Sequence, residues 1–319
     1  MITRRRILLA ALALVPLAAA CGGGQKSDVQ NVTDELAGAR PTTSSSAVPL
    51  PLGKPSRIVS LSPSATEILF AVGAGPQVIA VDSLSNYPPE APITDLSAYE
   101  PNVEAIAKYQ PDLVVTDGTN AELNRQLNQL GIPVFVGKAP KNLDQLYQQI
   151  EAIGAATGNI AAAGALSLKM QDQVAAIIKT YTKPSNGRVR YYLELDQTFF
   201  SASSKTFIGT VMARIGVYNI ADKVDDTKSA GYPQLTPEFI IAENPDVIFL
   251  ADTKCCGQNA STVAARPGWS EIRAVKEGRV VALDDDIAQR WGPRVIDLLQ
   301  TIVAAIQDIK PDPTAVYES

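Results

Sequence analysis

The residues of this chain whose types and spacing could do chemistry are few. They are the adjacent Cys255 and Cys256, two glutamates at matching places in an internal repeat, and aromatics scattered over polar stretches. The repeat sets Glu104 to Val115 against Glu238 to Phe249: a glutamate, a short helical stretch, Pro-Asp, then an apolar run. Asn102 and Thr236 are placed to cap the two helices, which puts each glutamate in a first turn. There it complements the helix macrodipole, and two equivalent carboxylates pointing the same way would also suit a docking partner. Cys255-Cys256 could be a vicinal disulfide, two thiols or a soft-metal ligand pair. An exported setting favours the disulfide as a stiffener of its loop, and no histidine or further cysteine nearby supports a metal. Histidine is absent from all 319 residues. That removes the commonest general base and metal ligand and makes His-dependent hydrolases, zinc enzymes and zinc or manganese carriers poor candidates. Without a GxSxG elbow, a Walker loop or HExxH, an exported enzyme is a remote alternative.

The elements that must position these groups begin with an export signal. Arg4-Arg5-Arg6 form a basic n-region, Ile7 to Leu17 an apolar h-region too short to span a bilayer, and Ala18-Ala19-Ala20 lead into Cys21. The arrangement resembles a bacterial lipoprotein signal in which Cys21 is lipidated, although Ala18 stands where a large aliphatic residue is expected. An ordinary secretory signal is the alternative, and Sec and twin-arginine export both remain open. Residues 1–20 are thus expected to be removed. Residues 21–55, rich in Gly, Ser, Thr and Pro, read as a flexible tether, with the folded part starting near Arg57.

Beyond it, apolar runs alternate with helical segments: Ile58–Leu61, Val78–Val81, Leu113–Thr116 and Val134–Val136, then Val189–Leu195, Val247–Leu250 and Val280–Leu283. Ser64 is expected to cap the first helix. Strands alternating with helices imply α/β lobes with mostly parallel sheets. Between the halves, Ile160, Ala163, Leu166, Met170, Val174, Ile177, Ile178 and Tyr181 recur at helical spacing, with Asn159 as cap. The expected organisation is an N-terminal lobe 56–158, a spine helix 159–182 and a C-terminal lobe 183–319.

Hydrophobic residues at 46% and charged residues at 19% exclude a largely disordered chain. Net charge is −5, from 28 basic and 33 acidic residues. Without Arg4, Arg5 and Arg6 it becomes 25 against 33, which argues against nucleic acid as a partner.

Arg57 to Glu67, Asn86 to Ala91 and the doubled Pro-Asp segments resemble the helical-backbone substrate-binding proteins of cobalamin, haem and siderophore ABC transporters, the cobalamin binders most closely. The resemblance covers residues 56–309. It implies two α/β lobes of the class III periplasmic-binding type joined by one long helix, with ligand in a shallow cleft between them. It also implies a monomer, without cofactor, that delivers cargo to a permease dimer and its ATPase subunits from the outer face of the cell membrane or the periplasm. Glu104 and Glu238 match the glutamates that such proteins present to permease arginines.

Ligands of open α/β sheets bind beyond the carboxyl ends of strands. Here those loops are 83–99, 117–120, 197–204, 252–259 and 284–290, with Trp291 just after the last. Aromatics on polar loops suit a large, rigid, partly apolar ligand. By resemblance, Tyr87, Tyr99, Phe199, Phe200 and Tyr232 fall at cleft aromatics, with Tyr99 and Tyr232 standing where the cobalamin binders carry tryptophan, and Asp286 and Arg290 at polar contacts to the corrin side chains. Cobalamin brings its own axial base, which suits a chain without histidine; a ferric siderophore is the main rival, and haem a further one.

Overall fold

The computed structural model describes residues 53–312. The expected signal, Cys21 and all but the end of the tether lie outside the described residues. The first lobe contains β1 (Ile58–Leu61), α1 (Pro63–Ala71), β2 (Val78–Val81), α2 (Val103–Ala107), β3 (Leu113–Thr116), α3 (Ala121–Gln129) and β4 (Val134–Val136). Two long helices follow, α4 (Leu143–Thr157) and α5 (Ile160–Thr180). The second lobe contains β5 (Arg190–Glu194), α6 (Phe207–Ile215), β6 (Tyr218–Asn219), α7 (Pro237–Glu243) and β7 (Val247–Leu250). It continues through α8 (Thr253–Cys256), α9 (Ala260–Ala264), α10 (Arg273–Lys276), β8 (Val280–Ala282), α11 (Asp285–Ala288) and α12 (Val295–Ile306).

The strand orders are β2-β1-β3-β4 and β6-β5-β7-β8, every pair parallel. The second lobe therefore winds as the first does. The inner strands β1, β3, β5 and β7 are buried throughout, as continuous apolar runs covered on both faces must be.

The repeat has a local physical cause. Gln110, three residues past α2, and Asn244, which ends α7, take left-handed conformations, φ 48° and 45°, and the following prolines prevent the helices from continuing. Asp112 then accepts from the Ser56 and Arg57 amides at 2.8 and 2.9 Å, and Asp246 from the Arg190 amide at 2.9 Å. Each aspartate ties the start of its lobe's first strand to the start of the third. Asn102 and Thr236 cap α2 and α7 as expected, accepting from the Ala105 and Phe239 amides.

Three boundaries differ from the expectation. Ser62, rather than Ser64, caps α1, because Pro63 takes the first helical position, where its missing N–H is harmless. Asn159 precedes α5 without capping it. Its side-chain amide instead donates to Gln77 Oε1 at 3.0 Å and to Thr157, and its Oδ1 accepts from Lys54 at 3.4 Å. The Gln77 amide also donates to the carbonyls of Pro55 and Thr157, so the chain is already tied to the lobe before Arg57.

The spine helix is present as a 21-residue helix, roughly 32 Å long. It is not alone, since α4 packs against it as an αα-hairpin and α12 packs beside it. Ala163, Met170, Val174 and Ile177 of α5 join one apolar core that takes in Val115 of the first sheet and Tyr191 and Phe249 of the second. Ile160, expected on that face, is 68% exposed.

The hairpin closes at Gly154, where an added Cβ would meet the Ala163 Cβ at 2.2 Å, whereas one at Gly164 meets nothing within 4 Å. Gly154→Ala should cost about 1–3 kcal/mol by overpacking. Gly164→Ala should raise stability by up to ~1 kcal/mol through helix propensity. Paired urea melts check both signs; equal midpoints would contradict this account of the hairpin.

Candidate functional site

The loops at the carboxyl ends of both sheets line an open cavity of about 480 Å³, the main cavity by its place between the strand ends of the two lobes rather than by its size. Ser62 and Ser64 reach it from the end of β1, Asp117 from β3, and Lys254 and Cys255 from β7. Tyr99, 83% exposed, stands at its mouth. The segment from Asp285 to Trp291 forms the remaining wall. Gln289, Arg290 and Trp291 also border a smaller cavity, about 260 Å³, which Tyr232, Ala139 and Pro140 line as well. A third hollow, about 490 Å³, lies between Phe70 of α1, Tyr87 and the start of α12.

The shared wall is held by charge. Arg290 donates to the Leu84 carbonyl at 2.9 Å, Asn86 Oδ1 at 2.8 Å, Asp286 at 2.8 Å and Glu67 at 3.4 Å. Arg294 donates to the same Glu67 from Nε at 3.0 Å and from Nη2, while its guanidinium stacks over the Tyr87 ring at 4.1 Å. Glu67, from α1, is only 3% exposed, so a first-lobe anion is neutralised by two second-lobe cations. The chain passes close there: a Cβ at Gly292 would stand 2.9 Å from Glu67 Oε2. Lys254 bonds Asp284 at 2.8 Å and Asp286 at 3.0 Å. Burial works against Asp286, yet Lys254, Arg290 and Asn86 hold its carboxyl below the usual aspartate value. Asp285 accepts the Thr253, Lys254 and Cys255 amides at 2.9, 2.8 and 3.1 Å, fixing α8 to the wall. The sulfurs of Cys255 and Cys256 are joined as a vicinal disulfide at the end of that turn.

Of the cleft residues expected from sequence, Tyr99, Asp286 and Arg290 meet at the main cavity, and Tyr232 reaches the adjoining one. Tyr87 lines the third hollow. Phe200 is exposed and bridges to Gln234 through its backbone. Phe199 departs from the expectation. Its φ of 69° turns the ring onto Trp269, centroids 5.8 Å apart, so it joins the second lobe's own core. Glu104 and Glu238 are exposed in the first turns of α2 and α7. Glu67 and Arg294 went unpredicted, although an acid inside the apolar stretch of α1 signals a buried partner.

The family described as periplasmic binding protein matches residues 58–287. An uncharacterised ABC transporter substrate-binding lipoprotein, YvrC of Bacillus subtilis, is 33% identical over 79% of this chain and 80% of its own. A cobalamin-binding protein of Halobacterium salinarum is 32% identical over 84% of this chain and 73% of its own. The solved apo structure of RhuT, a periplasmic haem-binding protein of Roseiflexus, superposes with a TM-score of 0.67 at 26% identity, covering 80% of this chain and 99% of that one.

Removing one partner from a buried charge cluster leaves the others unneutralised. Glu67→Gln should therefore cost about 3 kcal/mol, while Asp144→Asn, which breaks an exposed pair with Arg214, should cost under about 1 kcal/mol. Chemical denaturation of both variants checks the contrast. A Glu67 variant as stable as the parent would show that the clasp between the lobes is dispensable.

Proposed function

Because the chain belongs to the periplasmic binding protein family, whose members bind substrates for transport, we propose that it captures a corrinoid in the main cavity for an ABC importer. The observation that carries this reading is the cavity's charge balance. Among the described residues, the cations lining it, Lys254 and Arg290, are already ion-paired with Asp284, Asp286 and Glu67, and Asp117 and Asp285 add further negative charge. An anionic ferric siderophore or the propionates of haem would need a cation to spare. A corrinoid offers neutral amides to such groups, an apolar face to Tyr99 and Trp291, and its own axial ligand to the metal. In the chain's own setting, lipidated Cys21 would hold the protein at the membrane, with Glu104 and Glu238 as the exposed charges that meet permease arginines.

Titration calorimetry with cyanocobalamin, haemin and a ferric catecholate siderophore tests the ligand. Cyanocobalamin should bind, and Tyr99→Ala and Trp291→Ala should each weaken it about tenfold. Binding of haemin or the siderophore with no heat from cyanocobalamin would overturn the reading. For docking, Glu104→Arg combined with Glu238→Arg should nearly abolish uptake while leaving ligand affinity within about twofold. Uptake at the parental rate would exclude these glutamates from the interface.

A further inference from the structure

Glu194 and Asp252 sit at the carboxyl ends of β5 and β7, the two central strands of the second sheet, and both are fully buried. The strands are joined there by the Ala251 amide, which donates to the Glu194 carbonyl at 2.8 Å. Arg266 takes both oxygens of Glu194, at 2.6 and 2.5 Å, and is itself covered by the rings of Trp269 and Phe199. Among the described residues, no donor reaches either oxygen of Asp252. One arginine thus faces two buried carboxyl groups. A buried carboxylate without a partner is unfavourable enough to take up a proton instead.

The groups facing Asp252 are Glu194 and Tyr192 from β5 and Arg266 from the segment after α9. Nearby, Asp285 of α11 accepts the Lys254 amide of α8 at 2.8 Å, and the Lys254 ammonium is engaged by Asp284 and Asp286. Burial, followed by the Glu194 charge, pushes the Asp252 acid up to about 7, and burial keeps the Tyr192 phenol neutral. Asp252 also starts the turn that walls the main cavity: its carbonyl accepts the Cys256 and Gln258 amides, both at 3.3 Å, and Lys254 and Cys255 between them line the cavity.

We propose that Asp252 is a positioning residue for the ligand site, held as the neutral acid beside the Glu194–Arg266 pair, and that losing its proton loosens the α8 turn. The inference rests on the reading of that cavity as the ligand site. The sign is fixed by linkage: the folded protein holds a proton that the unfolded chain releases near pH 4, so stability falls as pH rises from there through about 7. In the folded protein the turn is firm below about pH 7 and loose above it.

Hydrogen exchange of the Cys256, Gly257 and Gln258 amides, corrected for intrinsic rates, tests this between about pH 5.5 and 8.5. Protection should fall at least about threefold in the parent and stay flat in Asp252→Asn, with cyanocobalamin affinity following the same two profiles. Isotope-edited infrared spectroscopy of the parent should show a protonated aspartic acid band below neutrality, a readout that does not depend on the variant folding. A flat parent profile, an unchanged fall in Asp252→Asn, or no acid band overturns the proposal. Absence of cyanocobalamin binding at every pH would instead count against the ligand assignment, and the exchange and infrared results would still decide the role of Asp252.

Discussion

Glu67 is an anion inside one lobe whose counter-charges belong to the other. It lies in α1 within an apolar helix, and Arg290 and Arg294 reach it from the last crossing of the chain. Separating the lobes would strand one buried carboxylate and two guanidinium groups at once. The same crossing carries the wall shared by the main and adjoining cavities, so the charge cluster that holds the halves together also sets the shape of the site. Around it, α4, α5 and α12 belong to a core common to both sheets. Two independent constraints, one ionic and one apolar, therefore oppose wide hinge motion, and adjustment to a ligand falls to side chains and to the short turns at the rim.

The matching topologies of the two sheets explain why the rim is where it is. Both lobes present their strand ends to one cleft, and the loops there are the places where side chains can vary without disturbing the layers beneath. Most of the polarity at this rim is used internally. Asp285 caps α8, Asp286 and Lys254 neutralise one another, and Asp117 closes its own turn on Thr119. What is left to face a ligand is ring surface, hydroxyls and a modest excess of negative charge.

Much of the fold was legible because its signals are local. Apolar runs such as Ile58–Leu61 and Val247–Leu250 are strands wherever they occur between helical segments, and Asn102 and Thr236 cap their helices through bonds three residues long. α4 was equally readable, with Leu143, Leu146, Tyr147, Ile150 and Ile153 at helical spacing behind Asn142, yet it went unpredicted. β6 is two residues long and has no periodicity to detect. The site was legible only in outline. Loop membership follows from strand ends, but the direction of a ring does not: Phe199 turns inward because its backbone is left-handed, which a phenylalanine in sequence gives no reason to expect. Nor could Glu67 be paired from sequence, since Arg294 lies 227 residues further on.

The ties at Lys54 and Pro55 have a mechanical meaning. Pro55 and Lys54 are tied through Gln77 and Asn159 to the turn joining α4 and α5, the part of the molecule that both sheets share. A force applied at these residues is delivered there, onto helices packed against both sheets and away from the loops at the strand ends. A force applied at Lys54 would therefore act on both lobes together rather than between them.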